Sequence, residues 1–218
     1  MTVRICPSIL SADFANFESE LATISDSDLI HVDVMDNHFV PNLTFGLATV
    51  ERLQQLSAKP LDVHLMIEDV DRWAEKYAEL GVFSVTFHAE ATDNPRLLAQ
   101  KLRERGSRAG LALKPNTPVE KYADVFASFD QVLIMTVEPG FGGQSLIEHT
   151  LDKVAQARAV IDSNDLTTWL QVDGGIDMSN IARAAEAGAD TFVAGSAIFK
   201  HVDRNAQIAL MRAAASGS

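Results

Sequence analysis

The sequence contains a single cysteine, Cys6, among its 218 residues. One cysteine excludes an internal disulfide and a cysteine-based zinc site, and it fits a reducing compartment. The chain also lacks any apolar run of the roughly 18 residues that a membrane span needs. It enters Val3-Arg4-Ile5 directly, without the apolar region of a signal peptide. We therefore expect a cytoplasmic protein that has no membrane partner.

Positive charge is scarce in this chain. It has 18 Lys and Arg residues against 30 Asp and Glu residues, which gives a formal net charge of −12. A surface this acidic repels nucleic acid and anionic membranes, so we expect neither as a partner. A small anionic substrate remains possible, because local backbone amides can hold it.

Hydrophobic residues make up 47% of the chain, which is enough for one sizeable core. The length lies in the range of a single α/β barrel, although two packed domains of about 100 residues are also compatible with it. No linker, low-complexity stretch or charge run divides the chain. We therefore predict a single domain over residues 1–218.

Short apolar runs alternate with amphipathic segments along the whole chain, and the alternation predicts eight strands and eight helices. The predicted strands are Val3–Leu10, Leu29–Met35, Leu61–Met66, Phe83–His88, Ala109–Leu113, Gln131–Val137, Thr168–Val172 and Thr191–Ala194. The predicted helices are Phe17–Ile24, Ala48–Leu56, Val70–Leu80, Pro95–Arg105, Val119–Phe126, Ile147–Ile161, Asn180–Ala187 and Arg204–Ala213.

Strict alternation of strand and helix predicts a parallel sheet with right-handed crossovers. Eight units favour a closed (β/α)8 TIM barrel. A doubly wound open sheet is the alternative, but it usually has fewer strands and a glycine-rich turn after the first one. Here Ser11-Ala12-Asp13-Phe14 follows the first strand, and no G-x-G-x-x-G motif is present.

Four ionisable residues lie near the C-terminal ends of three predicted strands. Side chains alternate between the two faces of a strand, so His31 and Asp33 share one face of the second strand. His64 on the third strand and Asp173 on the seventh are placed in the same way. A single strand-end Asp often caps a helix, and a single buried His is often a core residue. The combination instead predicts a joint metal or acid/base site at the mouth of the barrel.

Two imidazoles and two carboxylates suit Zn²⁺, Fe²⁺, Mn²⁺ or Co²⁺, and the donor set does not choose among these metals. Asp62 and Gln171 lie on the same strand faces one step deeper. We expect them to support the four outer residues.

Glycines are dense where the last three strands end. They let backbone amides approach a ligand closely, and the loops after strands seven and eight are the usual phosphate site of such barrels. Each glycine pair alone could be a tight turn, but three on adjacent strands favour a phosphate cup. The segments are Pro139-Gly140-Phe141-Gly142-Gly143-Gln144, Asp173-Gly174-Gly175-Ile176 and Gly195-Ser196.

Several motifs together resemble the ribulose-phosphate 3-epimerase family over nearly the whole chain. Any one of them alone would be a weaker signal. They are Pro7-Ser8-Ile9-Leu10-Ser11-Ala12-Asp13-Phe14, His31-Val32-Asp33-Val34-Met35-Asp36, His38-Phe39-Val40-Pro41-Asn42, Asp62-Val63-His64-Leu65-Met66, Met135-Thr136-Val137 with Pro139 to Gln144, Val172-Asp173-Gly174-Gly175-Ile176, and Gly188-Ala189-Asp190 leading to Ala194-Gly195-Ser196.

The resemblance implies interconversion of D-ribulose 5-phosphate and D-xylulose 5-phosphate in the pentose phosphate pathway, with one divalent metal ion. It implies His31, Asp33, His64 and Asp173 as metal ligands, and Asp33 and Asp173 as the two acid/base groups. It also implies the following substrate contacts: Ser8, His64, Gly140, Phe141, Gly142, Gly143, Gly174, Gly175, Gly195 and Ser196.

Inversion at C3 beside a ketone requires one carboxylate on each side of the carbon and a cation that stabilises the enediolate between the two proton transfers. Met35, Met66 and Met135 lie at strand ends, where methionine is often core filler. The resemblance places them as a cap that keeps water from the reacting carbons. We also expect a homo-oligomer whose size the sequence does not specify.

Two residues depart from the commonest family pattern. Asn37 stands where Gly is frequent, and Asn tolerates the left-handed conformation. Lys114 stands where Asn is frequent and puts a cation near the mouth. The remaining histidines are interpreted as structural or surface residues: His38, His88, His149 and His201.

Four alternatives to a pentulose-phosphate epimerase are compatible with a barrel of this kind. An epimerase of a hexulose phosphate such as allulose 6-phosphate is the nearest, but the Asp-Gly-Gly-Ile run favours the pentulose enzyme. A phosphosugar lyase needs an Asp-x-Lys-x-x-Asp motif, which is absent. A non-catalytic phosphosugar-binding barrel predicts that the His/Asp set would be incomplete. A bare structural barrel leaves four buried polar groups unexplained.

Overall fold

The computed structural model describes residues 2–217, and within them eight parallel strands form one sheet. The strands are β1 (Arg4–Pro7), β2 (Ile30–Met35), β3 (Leu61–Met66), β4 (Ser84–His88), β5 (Arg108–Leu113), β6 (Gln131–Met135), β7 (Trp169–Asp173) and β8 (Thr191–Ala194). Their order is β1-β8-β7-β6-β5-β4-β3-β2. A parallel bridge between Ser8 and His31 joins the two ends of this order, so the sheet is a nearly closed barrel. The predicted (β/α)8 TIM barrel is confirmed.

Helices follow the strands around the outside of the barrel. They are α1 (Phe17–Ala22), α2 (Leu47–Leu56), α3 (Val70–Ala78), α4 (Pro95–Glu104), α5 (Thr150–Ser163), α6 (Ile181–Glu186), α7 (Ser196–Phe199) and α8 (Arg204–Ser216). Helix α7 is not predicted by the sequence pattern, because four residues are too few to show a helical period. Among the described residues, no helix is both long enough and apolar enough to cross a membrane.

The predicted α-helix over residues 119–126 is wrong in type, because the chain forms two 3-10 helices there. The Tyr122 N–H bonds to the Val119 carbonyl, and the Val125 N–H bonds to the Tyr122 carbonyl. A repeat of three residues per turn places these three side chains on one side, where they pack against the core. The 3-10 helices are Val119–Lys121 and Ala123–Ser128.

The two faces of each strand have different roles, as β2 illustrates. Val32 and Val34 point outward into the main apolar core between sheet and helices, and each is at most 2% exposed. Burying a valine side chain stabilises the fold by roughly 1.5–3 kcal/mol, so this face fixes which residues point inward. The inward face carries His31, Asp33 and Met35.

The barrel interior is packed tightly at Gly110 of β5, which lies opposite Thr86 of β4. A Cβ atom at Gly110 would lie 2.1 Å from Thr86 Oγ1 and 2.8 Å from Thr86 Cβ. We expect Gly110→Ala to lower the free energy of unfolding by about 1–3 kcal/mol, because an overpacked interior has to shift.

Urea denaturation of the purified variant measures this change. Gly46→Ala is the matched control, because nothing lies within 4 Å of the added methyl group and its φ of −90° is ordinary. Equal stability of Gly110→Ala and the wild type would contradict the described packing around Thr86.

Candidate metal centre and active site

The register of the barrel brings four inward side chains together at the C-terminal ends of the strands. Asp33 of β2 lies directly opposite His64 of β3, His31 precedes Asp33 by two residues, and Asp173 ends β7. Each of the four residues offers one ligand atom, and these atoms all lie within 4.8 Å of one another. The sequence predicts this convergence from strand parity, which is the alternation of successive side chains between the two faces of a strand.

Two imidazole nitrogens and two carboxylate oxygens surround a common centre. His31 Nε2 lies 3.3 Å from Asp33 Oδ1 and 3.7 Å from Asp173 Oδ2. His64 Nδ1 lies 3.4 Å and 3.5 Å from the same two oxygens. Donor atoms arranged tetrahedrally at roughly 2.1 Å from a zinc ion would be separated by about 3.4 Å. The spacing therefore suits a divalent metal ion.

The same two nitrogens, His31 Nε2 and His64 Nδ1, are buried without a hydrogen-bond partner among the described residues. Buried polar atoms are rarely left unpaired, because the loss of water is not compensated. A cation at the common centre would satisfy both nitrogens at once. The residues present thus fit a metal ion in ligand type, spacing and unmet bonding capacity.

The electrostatics of the centre favour positive charge. Burial raises the pKa of Asp33, but His31 and His64 outweigh this effect and hold the pKa well below its ordinary range. Burial lowers the pKa of His31, but Asp33 and Asp62 outweigh it and raise the pKa well above the usual value. Asp33 is therefore an anion in this site.

Asp62 lies behind His31 and is completely buried. Its Oδ2 is 2.8 Å from His31 Nδ1 and accepts a hydrogen bond from Gln171 Nε2 at 2.7 Å, while Oδ1 accepts one from Ser84 Oγ at 2.6 Å. Burial raises the pKa of Asp62, but these hydrogen bonds outweigh it and lower the pKa. An ionised carboxylate only accepts, so His31 carries a proton on Nδ1 and Nε2 is the atom left for a cation.

Ser8 orients the carboxylate of Asp33. Its hydroxyl donates a hydrogen bond of 2.5 Å to Asp33 Oδ2, and this leaves Oδ1 facing the two imidazoles. Both Ser8 and Asp33 also line the cavity above the centre. The contact with Asp33 was not foreseen from the sequence, which indicated Ser8 only as a substrate contact.

Sequence reasoning also missed His88, although the parity argument applies to it. The inward face of β4 carries every second residue of the strand, namely Ser84, Thr86 and His88, and all three are fully buried. His88 Nε2 lies 3.0 Å from His64 Nε2, and His88 Nδ1 lies 3.3 Å from Glu90 Oε2. His88 thus connects the candidate metal centre to a carboxylate at the rim.

His88 and Glu90 differ in charge state. Burial lowers the pKa of His88 to about 4. Burial raises the pKa of Glu90, but hydrogen bonds from His88 and Thr117 outweigh it and lower the pKa to about 2. At neutral pH a neutral imidazole therefore faces an ionised carboxylate.

A cavity of about 570 Å³ opens above the four residues. Asp33 and Asp173 form part of its wall, whereas His31 and His64 lie behind them with no exposed surface. All the glycine-loop residues indicated by the sequence line this cavity: Gly140, Phe141, Gly142, Gly143, Gly174, Gly175, Gly195 and Ser196. Lys200 also lines it and was not indicated by the sequence.

The glycines after β7 have a packing role of their own. Gly175 has a φ of +66°, and a Cβ atom there would lie 2.6 Å from the backbone nitrogen of Leu146. The loop after β7 can therefore approach the loop after β6 only because this residue has no side chain. The two loops form adjoining parts of one cavity wall.

Met35, Met66 and Met135 all line the cavity and are at most 3% exposed. They supply apolar surface directly above the polar centre. Lys114, expected near the mouth, places its ammonium 3.8 Å from the centroid of the Phe39 ring. Asn37 has a φ of 59°, which confirms the left-handed turn predicted for it.

Comparisons with known proteins agree with this geometry. A family model described as the ribulose-phosphate 3 epimerase family matches residues 4–199. A ribulose-phosphate 3-epimerase of Mycobacterium leprae (strain TN) is 52% identical over 208 residues, which cover 95% of this chain and 93% of that protein. The protein of the same name from Escherichia coli (strain K12) is 45% identical over 211 residues, covering 95% and 94%.

Among solved structures, KGPDC from Streptococcus mutans superposes with a TM-score of 0.75 at 13% sequence identity, covering 100% of this chain and 99% of that one. At this identity the likeness shows the barrel fold alone. Because the family model and the relatives both match nearly the whole chain, this protein belongs to the ribulose-phosphate 3-epimerase family and is an isomerase.

Proposed function

We propose that the protein interconverts D-ribulose 5-phosphate and D-xylulose 5-phosphate, a step of the pentose phosphate pathway. The observation that carries this proposal is the pair of carboxylates, Asp33 and Asp173, at the base of a cavity walled by glycine loops. The names of the relatives support the substrate, since both are ribulose-phosphate 3-epimerases.

The cavity is divided in a way that suits a phosphorylated sugar. The loops after β6, β7 and β8 form one side, where backbone amides and Lys200 would bind the phosphate. The candidate metal centre forms the base, where the carbonyl end of the sugar would lie. Met35, Met66 and Met135 would cover the reacting carbons and exclude water from them.

Inversion at C3 requires proton transfer on both faces of that carbon. Asp33 on β2 and Asp173 on β7 come from strands separated by β8 and β1 in the ring, so they approach the cavity from different sides. One carboxylate would remove the C3 proton and become a carboxylic acid, and the other group, protonated beforehand, would return its proton to the opposite face and become a carboxylate. Ser8 keeps Asp33 oriented during both steps.

His31, Asp33, His64 and Asp173 would hold the divalent cation, which we propose to be Zn²⁺, Fe²⁺, Mn²⁺ or Co²⁺. When bound, such a cation would supply electrostatic stabilisation to the enediolate that forms between the two proton transfers. The protein's own contribution is to bind the phosphate, fix both carboxylates and keep water out.

We further propose that the protein acts in the cytoplasm as a homo-oligomer. Its one cysteine, Cys6, is a buried free thiol, which suits a reducing compartment. Leu43 and Phe14 near the strand C-termini are 70% and 49% exposed, and such side chains favour contact with a second copy.

The exchange of the C3 proton with solvent tests the reaction. We expect metal-stripped protein to be inactive, and protein reloaded with Fe²⁺, Mn²⁺, Zn²⁺ or Co²⁺ to incorporate deuterium at C3 of ribulose 5-phosphate in D₂O. Proton NMR follows the exchange. The same assay with allulose 6-phosphate tests the hexulose alternative. Faster exchange with allulose 6-phosphate than with ribulose 5-phosphate would support that alternative. No exchange with either sugar and any metal would contradict the epimerase proposal.

Asp173→Asn tests the second acid/base group. The amide cannot accept the proton, so we expect turnover to fall by about 10²–10⁴-fold or more while the fold is retained. Circular dichroism checks the fold. Asp152→Asn is the matched control, because Asp152 is exposed on α5 and lies outside both the four-residue centre and the cavity. Turnover of Asp173→Asn at the level of the control would remove Asp173 from the mechanism.

A further inference from the structure

We propose that Glu90 and His88 are positioning residues that fix the tautomer of His64 in which Nδ1 can bind a cation. The inference rests on the proposed metal centre. A carboxylate at the rim of the barrel would act on the centre only through two neighbouring imidazoles, whose ring centroids are 5.0 Å apart and whose planes differ by 27°.

The contacts from Glu90 through His88 to His64 have one direction in which each contact pairs a donor with an acceptor. The Glu90 carboxylate only accepts, so the His88 Nδ1 atom 3.3 Å away must carry its proton. In its neutral form the His88 imidazole carries only that one proton, so its Nε2 accepts. His64 Nε2, 3.0 Å from it, must therefore donate. This leaves the His64 Nδ1 lone pair facing the common centre.

The opposite direction would close the site to a cation. A proton on His64 Nδ1 would turn His64 Nε2 and His88 Nδ1 into acceptors, and His88 Nδ1 would then face an anionic carboxylate. Glu90 disfavours that arrangement. The barrel thus uses a carboxylate for each imidazole: Asp62 contacts His31 directly, whereas Glu90 reaches His64 through His88.

Glu90 is itself held in place. Its Oε1 accepts a hydrogen bond of 2.9 Å from the Lys114 backbone N–H and another from the Thr117 hydroxyl. These donors come from the loop after β5, and they leave Oε2 as the oxygen that faces His88. The Glu90 side chain is 21% exposed, so its charge is largely shielded from solvent.

Because of these contacts, Glu90→Gln is a sharper test than removal of the Glu90 side chain. The amide oxygen has to stay on the Lys114 N–H, because two N–H groups cannot face each other. The amide NH₂ would then donate to His88 Nδ1 and reverse the whole chain, which puts a proton on His64 Nδ1. The metal-free variant keeps the same number of hydrogen bonds, so its melting temperature should stay near that of the wild type.

The test is titration of the metal-stripped full chain with Co²⁺, followed by visible absorption. We expect Glu90→Gln to bind Co²⁺ about 10–100-fold more weakly than the wild type, the usual range for a lost partner of a metal ligand. Glu68→Gln is the matched control. It makes the same change in the same surface depression, beside Phe39, and should bind within about twofold of the wild type.

A double-mutant cycle distinguishes an effect of Glu90 that is transmitted through His88 from the effect of losing its negative charge. His88→Leu removes the acceptor of the His64 proton and should weaken Co²⁺ binding by itself. In that background Glu90→Gln should add less than about twofold, because Glu90 acts only through His88. This cycle also stays informative if one of the single variants is less stable.

The inference is overturned if Glu90→Gln binds Co²⁺ as tightly as the wild type, or if its full effect persists in the His88→Leu background. In the second case Glu90 acts by charge across space. A wild-type protein that binds no Co²⁺ would instead overturn the proposed metal centre itself.

Discussion

The contact between the buried carboxylate of Asp62 and the imidazole of His31 is the interaction on which the rest of the site depends. A charge without exposed surface is costly unless several donors satisfy it. Gln171 of β7 and Ser84 of β4 supply those donors. With Asp62 of β3 they form a layer of polar side chains that connects opposite parts of the barrel wall. The same layer orients His31 toward the open end, where Asp33 and Asp173 complete the centre.

Above this layer, two further side chains orient members of the four-residue centre. Ser8, which directly follows β1, orients Asp33, and His88 of β4 contacts His64. Side chains outside the four-residue set thus determine which atoms of His64 and Asp33 face the centre. Such preorganisation is what allows a site to favour developing charge without rearranging during the reaction.

Strand parity explains how much of this molecule could be predicted from the sequence. The alternation of apolar runs with amphipathic segments was sufficient for the barrel, and the period of two along β2, β3 and β7 placed His31, Asp33, His64 and Asp173 in one mouth. Naming the reaction required the family resemblance, because parity and spacing indicate a metal and a phosphate but not a sugar.

Other features could not be predicted, for identifiable reasons. The sequence pattern predicts an α-helix where the 3-10 helices follow β5, since apolar residues at intervals of three and four look alike over so short a segment. The sequence indicates only a structural or surface role for His88, because a lone histidine has no visible partner in sequence. Its contact with His64 depends on the register of β3 against β4, which only the structure gives.

The central claim is that four convergent side chains form one cation site at the base of the cavity. A crystal structure of the metal-loaded protein, with anomalous data collected at the absorption edge of the metal, tests it most directly. The account predicts one anomalous peak per chain, at roughly 2.0–2.2 Å from His31 Nε2, His64 Nδ1 and the facing oxygens of Asp33 and Asp173. A peak bound elsewhere, with these four residues joined only to each other or to water, would contradict it.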